Sequence, residues 1–310
     1  MSLNTPSPPK YTGKKWEVEP LDALSFDDAV KKALRPVTQS PCMIYHGDCL
    51  NIIPDKISNQ SIALIVTSPP YADQRKNEYG SIHPDQYVDW FLKRSSVFYE
   101  ALHPSGSFVL NIKEKAVSGE KHPYVLHLIM ALRQQGWKLI DEYIWHKKNC
   151  YPGKWPNRFR DSWERLLHFT KNTKFKMNQE SVMVPMGDWA SARLQNLSKT
   201  DEIRDESKSK SGFGKQVSNW VGRDKAYPTN VLHMATECGY KGHPATFPVS
   251  LPEWFVKLFT DEGDLVLDPF AGSGTTLIAG LGLGRKVIGI DTERKYCELM
   301  RERIQEMNDE

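Results

Sequence analysis

The chain has 310 residues, 39% hydrophobic and 25% charged, with 41 Lys+Arg against 38 Asp+Glu and a formal net charge of +3. This is ordinary globular composition with enough chain for a substantial core. No apolar stretch approaches the roughly eighteen residues of a membrane span, and the first residues lack the apolar segment of a signal peptide, so a cytoplasmic protein without a membrane partner is expected. The five cysteines (Cys42, Cys49, Cys150, Cys238 and Cys297) are odd in number and form no C-x-x-C, which predicts buried thiols rather than a disulfide framework or a bound metal.

Residues 1–42 read as a Pro/Lys-rich tail and a short helix around "SFDDAVKKAL", with Ser25 as its cap. From Met43 the pattern alternates: strand "MIYHGD", helical turn "CLNIIPDK", strand "IALIVTS", a helix around "DQYVDWFLKRSSVFYEAL", a Pro-Ser-Gly turn, strand "SFVLNI", a helix around "YVLHLIMALRQQG", and strand "KLIDEYIWHK". Such β-α-β-α alternation predicts an α/β fold with a mostly parallel, doubly wound sheet covered on both faces.

The strand "IALIVTS" runs straight into Ser68-Pro69-Pro70-Tyr71. Prolines cannot extend a strand, since they lack the amide hydrogen and fix φ. A rigid, carbonyl-rich turn ending in an aromatic ring is therefore expected at this strand's tip.

Beyond residue 143 the stretch "YIWHKKNCYPGKWPNRFRDSWERLLHFTK" mixes cations with aromatics. Lys147, Lys148, Lys154, Arg158 and Arg160 are candidates for phosphate contact, with Trp163 and Phe169 as core. From Lys171 through Lys225 there are eleven Lys+Arg and seven Asp+Glu, an excess of four positives in a segment short of apolar runs. Residues 171–240 are expected to be an insertion outside the sheet.

Regularity returns with a helix around "LPEWFVKLFT" and then "DLVLDPFAGSGTTLIAGLGLGRKVIGID", residues 264–291, followed by a final helix of about fifteen residues. Here a strand ends in Asp268, a turn carries Gly272 and Gly274, and a second strand ends in Asp291. That is the geometry of a nucleotide-type cofactor site, with glycines admitting close backbone approach and the second acid accepting ribose hydroxyls. A carboxylate at Asp268 would repel a pyrophosphate, so a cofactor with a cationic centre and no phosphates fits better, and S-adenosylmethionine is such a cofactor. Just upstream, His243-Pro244 and Phe247-Pro248 make a stiff turn placed to close that pocket.

With "TSPPY", "HPATFP" and "DPFAGSGTT" in this order, the chain resembles the DNA amino-methyltransferases, most of all their permuted (beta) group, in which the catalytic half precedes the cofactor half. The likeness covers roughly residues 43–170 and 240–308. It implies a Rossmann-like, seven-stranded, mostly parallel sheet with one antiparallel strand, with the catalytic half at 43–170 and the cofactor half at 241–310. The tail 1–42 and residues 171–240 lie outside the likeness, and the polarity and local charge of 171–240 make it the expected target-recognition insertion. It also implies that Asp268, Pro269, Phe270, Gly272, Gly274 and Thr275 surround the methionine part of S-adenosylmethionine. Asp291 would take the ribose, Asp48 would lie near the adenine, and His243, Pro244, Thr246 and Phe247 would close the carboxylate end.

At the first turn the resemblance and the chemistry converge. An exocyclic base amine is a poor nucleophile until acceptors around its hydrogens free its lone pair; the Ser68 hydroxyl and Pro69 carbonyl suit that role, Pro70 stiffens the turn, and Tyr71 offers a stacking face. The base must leave the duplex to reach them. In this family Ser before Pro-Pro-Tyr commonly accompanies cytosine N4 and Asp accompanies adenine N6, so Ser68 favours cytosine, with adenine N6 the alternative. Cytosine C5 chemistry needs a thiolate after a strand, whereas Pro41-Cys42 precedes one. Methylation of RNA or of a glutamine side chain, and a non-catalytic DNA-binding role, are the readings from other classes. Expected partners are double-stranded DNA and, as a modification enzyme of a restriction-modification system, a cognate restriction endonuclease; the chain would act as monomer or homodimer.

Overall fold

Ile62–Thr67 (β2) alternates its side chains between two cores: Ile65 joins one and Leu64 and Val66 the other. Such a strand must be covered on both faces, and it lies at the centre of the sheet. The computed structural model describes residues 41–73, 82–150, 156–187, 221–236 and 247–309, with 153 and 199 singly.

In chain order, Cys42–His46 (β1) is followed by Cys49–Lys56 (α1), β2, Pro84–Ala101 (α2) and Leu102–Ile112 (β3). A small hairpin, Ala116–Val117 (β4) and Glu120–Lys121 (β5), precedes Tyr124–Gln135 (α3). Next come Lys138–Lys147 (β6), Trp163–Thr170 (β7), Val184–Pro185 (β8), Lys225–Ala226 (β9) and Val231–Met234 (β10). Ser250–Phe259 (α4), Leu265–Asp268 (β11), Thr275–Gly282 (α5), Lys286–Asp291 (β12) and Arg294–Asp309 (α6) complete the chain.

The main sheet has the order β1-β12-β11-β2-β3-β7-β6-β10. Only β7 runs antiparallel to its neighbours. The core beneath α1, α2 and α3 is the aromatic one, with Phe91, Phe98, Phe108, Trp137 and Phe169 in mutual contact. The other face packs β2, β11 and β12 against Phe255, Leu277 and Met300 from α4, α5 and α6. The expected α/β architecture is present, and no helix among the described residues is long and apolar enough to cross a membrane.

The structure departs from the sequence-based expectation in three places. The sheet has eight strands, one more than the family pattern, because β10 adds to β6 in parallel, His233 opposite His146. The Pro-Ser-Gly stretch does not break β3 but shifts its register against β2, from Ile62 opposite Leu102 to Leu64 opposite Ser107; a Cβ on Gly106 would stand 2.9 Å from Ala63 O, so only glycine permits this approach. And 171–240 is not wholly outside the sheet, since its Val231–Met234 is β10. Asn178 N donates to Leu258 O at 2.6 Å and Ser181 Oγ to Lys257 O at 2.7 Å, docking this part on α4, while β9 pairs with β8. The remainder (188–220 apart from Lys199, and 237–240) and the Ser25 helix lie outside the described residues.

Candidate active site

β11 and β2 are adjacent and parallel, Leu267 opposite Ile65, so the turns at their carboxyl ends must meet. They do so through a buried hydrogen bond, Thr67 Oγ1 donating to Asp268 Oδ1 at 2.6 Å. Thr276 Oγ1 donates to Oδ2 at 2.7 Å and Phe270 N to Oδ1 at 3.1 Å. Burial pushes the Asp268 carboxyl up to about 6, despite the three donors that favour its charged form. Asp268, expected beside the cofactor, is 2% exposed and accepts these three bonds, one of them from the other turn, so it joins the two turns.

The glycine turn is held from two sides. Gly272 N donates to Asp291 Oδ2 at 2.9 Å and Glu293 N to Oδ1 at 2.8 Å, which ties the turn to the tip of β12. Each of these oxygens retains acceptor capacity. Burial raises the Asp291 carboxyl above its usual range. Gly274 sits at φ +79 ahead of α5, where a Cβ would meet Met300 Cγ at 2.7 Å. From α6, Arg303 donates to Ser273 O at 2.7 Å and lies 3.2 Å from Thr275 Oγ1. Arg303 was missed in the sequence, although it continues the i, i+4, i+7 stripe of Tyr296 and Met300; a cation on a buried stripe signals a polar partner. Pro269 is buried and Phe270 half-buried, the latter 5.8 Å from the Trp90 ring.

Asp48 caps α1, accepting from Leu50 N at 3.0 Å, and its other oxygen takes Arg94 NH2 at 2.7 Å. Arg94 in turn covers the Trp90 ring at 4.1 Å. This carboxylate, expected beside the adenine, is held by Leu50 and Arg94 and remains one-third exposed. Of the expected pocket closure only Phe247 is described, packed against the second core; His243, Pro244 and Thr246 lie outside the described residues.

At the other turn Ser68 Oγ donates to Tyr71 Oη at 3.3 Å, and Tyr71 Oη donates to Glu164 Oε2 at 2.8 Å. Asn111 Oδ1 lies 3.1 Å from the same phenol, but its single proton goes to the nearer, charged acceptor. Asn111 Nδ2 and Lys147 Nζ complete Glu164, at 3.2 Å to Oε2 and 2.6 Å to Oε1. Burial and the Glu164 carboxylate push the Tyr71 phenol well above its usual range. Pro69 is buried, and Tyr87 Oη donates to Pro70 O at 3.0 Å. Among the described residues the Pro69 carbonyl receives no hydrogen bond from the chain.

Asn111 and Glu164 were missed in the sequence. Glu164 is 7% exposed at the start of the largely buried strand β7, and a carboxylate just ahead of the apolar Leu166-Leu167 pair was the available signal. Lys147, one of the expected phosphate set, forms an ion pair with Glu164. Arg158 pairs with Asp161 at 3.1 Å; Lys148 and Arg160 are exposed; Lys154 lies outside the described residues. Cys42 opens β1 at the end of the sheet away from both turns, and burial pushes its thiol up to about 11, which removes it as a nucleophile. Among the described residues no cluster of His, Cys, Asp and Glu could hold a metal ion.

A doubly wound sheet with a glycine turn and a Ser-Pro-Pro-Tyr turn joined at adjacent strand tips is the architecture of an α/β group-transfer enzyme. A family model for DNA methylases matches residues 62–302. The chain belongs to that DNA methylase family and is a DNA methyltransferase. It is 30% identical over 300 residues to the type II methyltransferase M.PvuII of Proteus hauseri, covering 89% of this chain and 88% of that one. The type II methyltransferase M2.DpnII of Streptococcus pneumoniae is 27% identical, with 86% and 91% covered. Among solved structures, PvuII DNA methyltransferase (cytosine-N4-specific) superposes with a TM-score of 0.65 at 26% identity, covering 88% of this chain and 92% of that one.

Proposed function

We propose that this chain methylates the N4 amine of a cytosine extruded from duplex DNA, with S-adenosylmethionine as donor. The observation that carries the reading is the joint between the two turns: Ser68 follows Thr67 directly, and Thr67 is bonded to the carboxylate that opens the glycine turn. Donor and acceptor pockets therefore share one wall. The likeness to an enzyme named cytosine-N4-specific supports cytosine over adenine.

The residues fit the donor. Two buried carboxylates flank the glycine turn, a setting hostile to phosphates and compatible with a cationic centre. Gly272, Gly274 and Phe270 would line it, Asp291 would accept ribose hydroxyls, and His243, Pro244 and Thr246 remain assigned to its closure. S-adenosylmethionine supplies an electrophilic methyl on a sulfonium.

The chain supplies position. Because the Ser68 proton points to Tyr71, the lone pairs of Ser68 Oγ are left for an amine hydrogen, and the Pro69 carbonyl accepts the other. Two acceptors so placed free the nitrogen lone pair and aim it, and such alignment accounts for much of the barrier reduction in a transfer of this kind. The Tyr71 ring, held by its hydroxyl, offers the stacking face. As members named type II methyltransferases surround it, a cognate restriction endonuclease is the proposed functional partner. The test is transfer of labelled methyl in competition among duplex DNA, RNA and protein: label confined to DNA is expected, and label confined to RNA or protein would overturn the reading.

A further inference from the structure

Phe159 is 95% exposed, while every other exposed large hydrophobic among the described residues is 53% or less. It does not hang on a loose end. On one side Asn157 Nδ2 donates to Gly119 O in the β4–β5 hairpin at 3.2 Å. On the other, Asp161 accepts from Arg158 at 3.1 Å and meets Lys113 Nζ at 3.2 Å, beyond the end of β3. Ser162 O then accepts from Lys147 N at 2.8 Å, and Lys147 holds the Glu164 that holds Tyr71. An aromatic ring is thus presented to solvent by pinned backbone on the rim that carries the amine clamp.

A water-facing phenylalanine so anchored gains nothing within the free chain, so its burial belongs to a bound partner. A single ring is too small for an apolar protein patch. The adjacent Arg160 is an exposed cation, and Lys148 is exposed just past the end of β6 on the same loop, which suits a polyanion. Stacked bases offer such a ring two apolar faces beneath a phosphate backbone, and apolar wedges between base steps are a known means of deforming duplexes.

We infer that Phe159 is the wedge that enters the duplex where the target base leaves, stacking in the vacated space and offsetting the lost stacking. This rests on the reading of the chain as acting on an extruded base. The test uses the full chain and a duplex oligonucleotide carrying the site mapped from DNA of cells expressing the protein. A second duplex replaces the base opposite the target by an abasic site, so the target is already unpaired.

In single-turnover methyl transfer, Phe159→Ala is expected to slow the matched duplex by about tenfold or more and the abasic duplex by less than about twofold, since an unpaired base is cheaper to extrude. Phe159→Trp is expected to retain the matched rate. An unchanged thermal midpoint in Phe159→Ala verifies the fold. A matched rate equal to wild type, or equal slowing on both duplexes, would overturn the wedge. A wild-type chain that labels neither duplex would instead overturn the methylation reading beneath it.

Discussion

Thr67 Oγ1 donates to Asp268 Oδ1 at 2.6 Å across 201 positions of sequence, and this bond locks the acceptor turn to the donor turn. Both residues are buried. Asp268 has a folded value of about 6 against an ordinary 3.8, so its contribution to stability is present below about 3.8 and is lost as pH rises through 6. Thr67→Val removes a donor to the charged form and raises that value further. The variant is expected to lose about 2 kcal/mol at pH 8, the worth of a hydrogen bond to a buried charge, and clearly less at pH 5. Urea midpoints at the two pH values measure it; an equal loss at both would show that Asp268 keeps one protonation state.

The Tyr71–Glu164 bond makes a kinetic claim. Tyr71→Phe keeps the stacking face and loses the anchor, so kcat is expected to fall about tenfold with little change in KM for DNA. Tyr71→Ala removes the face as well and should fall by about a hundredfold or more. Glu164→Gln, which leaves Lys147 without its carboxylate, should resemble Tyr71→Phe. Steady-state kinetics on the methylated site separate these outcomes, and a Tyr71→Phe variant altered in KM alone would contradict the anchoring role.

The cations divide into two sets. Lys148→Ala with Arg160→Ala is expected to flatten the salt dependence of DNA binding, by about 0.9 in logarithmic slope for each phosphate no longer neutralised. Lys147→Met should leave that slope intact and lower kcat, because its ammonium is spent on Glu164. Binding titrations from low to moderate salt decide the matter.

The second core carries an opposite pH signature. His168 is buried between Phe259 and Phe175, with Nε2 2.9 Å from Ser107 Oγ, and burial lowers it to about 3 from 6.5. Its contribution is complete above 6.5 and is lost as pH falls toward 3. The stability difference between wild type and His168→Leu should therefore shrink by about 2 kcal/mol between pH 7 and pH 5. Chemical denaturation at both values measures this, and a constant difference would mean that His168 titrates alike in the folded and unfolded chain.

What could be read in advance follows from the range of each interaction. The strands flanking both turns were legible because alternation and glycine punctuation are local, and the meeting of the turns followed from sheet logic. β10 was not, since Val231–Met234 is four residues with an exposed edge and no long apolar run. Glu164 was not placed at Tyr71 because antiparallel pairing of β7 with β3 and β6 delivers it across 93 positions. The bonds of Asp268 to Thr67 and Thr276 were not legible, because both partners look ordinary in sequence.

The central claim is that the clamp at Ser68 and Pro69 acts on cytosine N4. Nucleoside mass spectrometry of duplex DNA methylated by the purified chain tests it most directly. N4-methylcytosine without N6-methyladenine is the expected result; N6-methyladenine alone, or 5-methylcytosine, would contradict it.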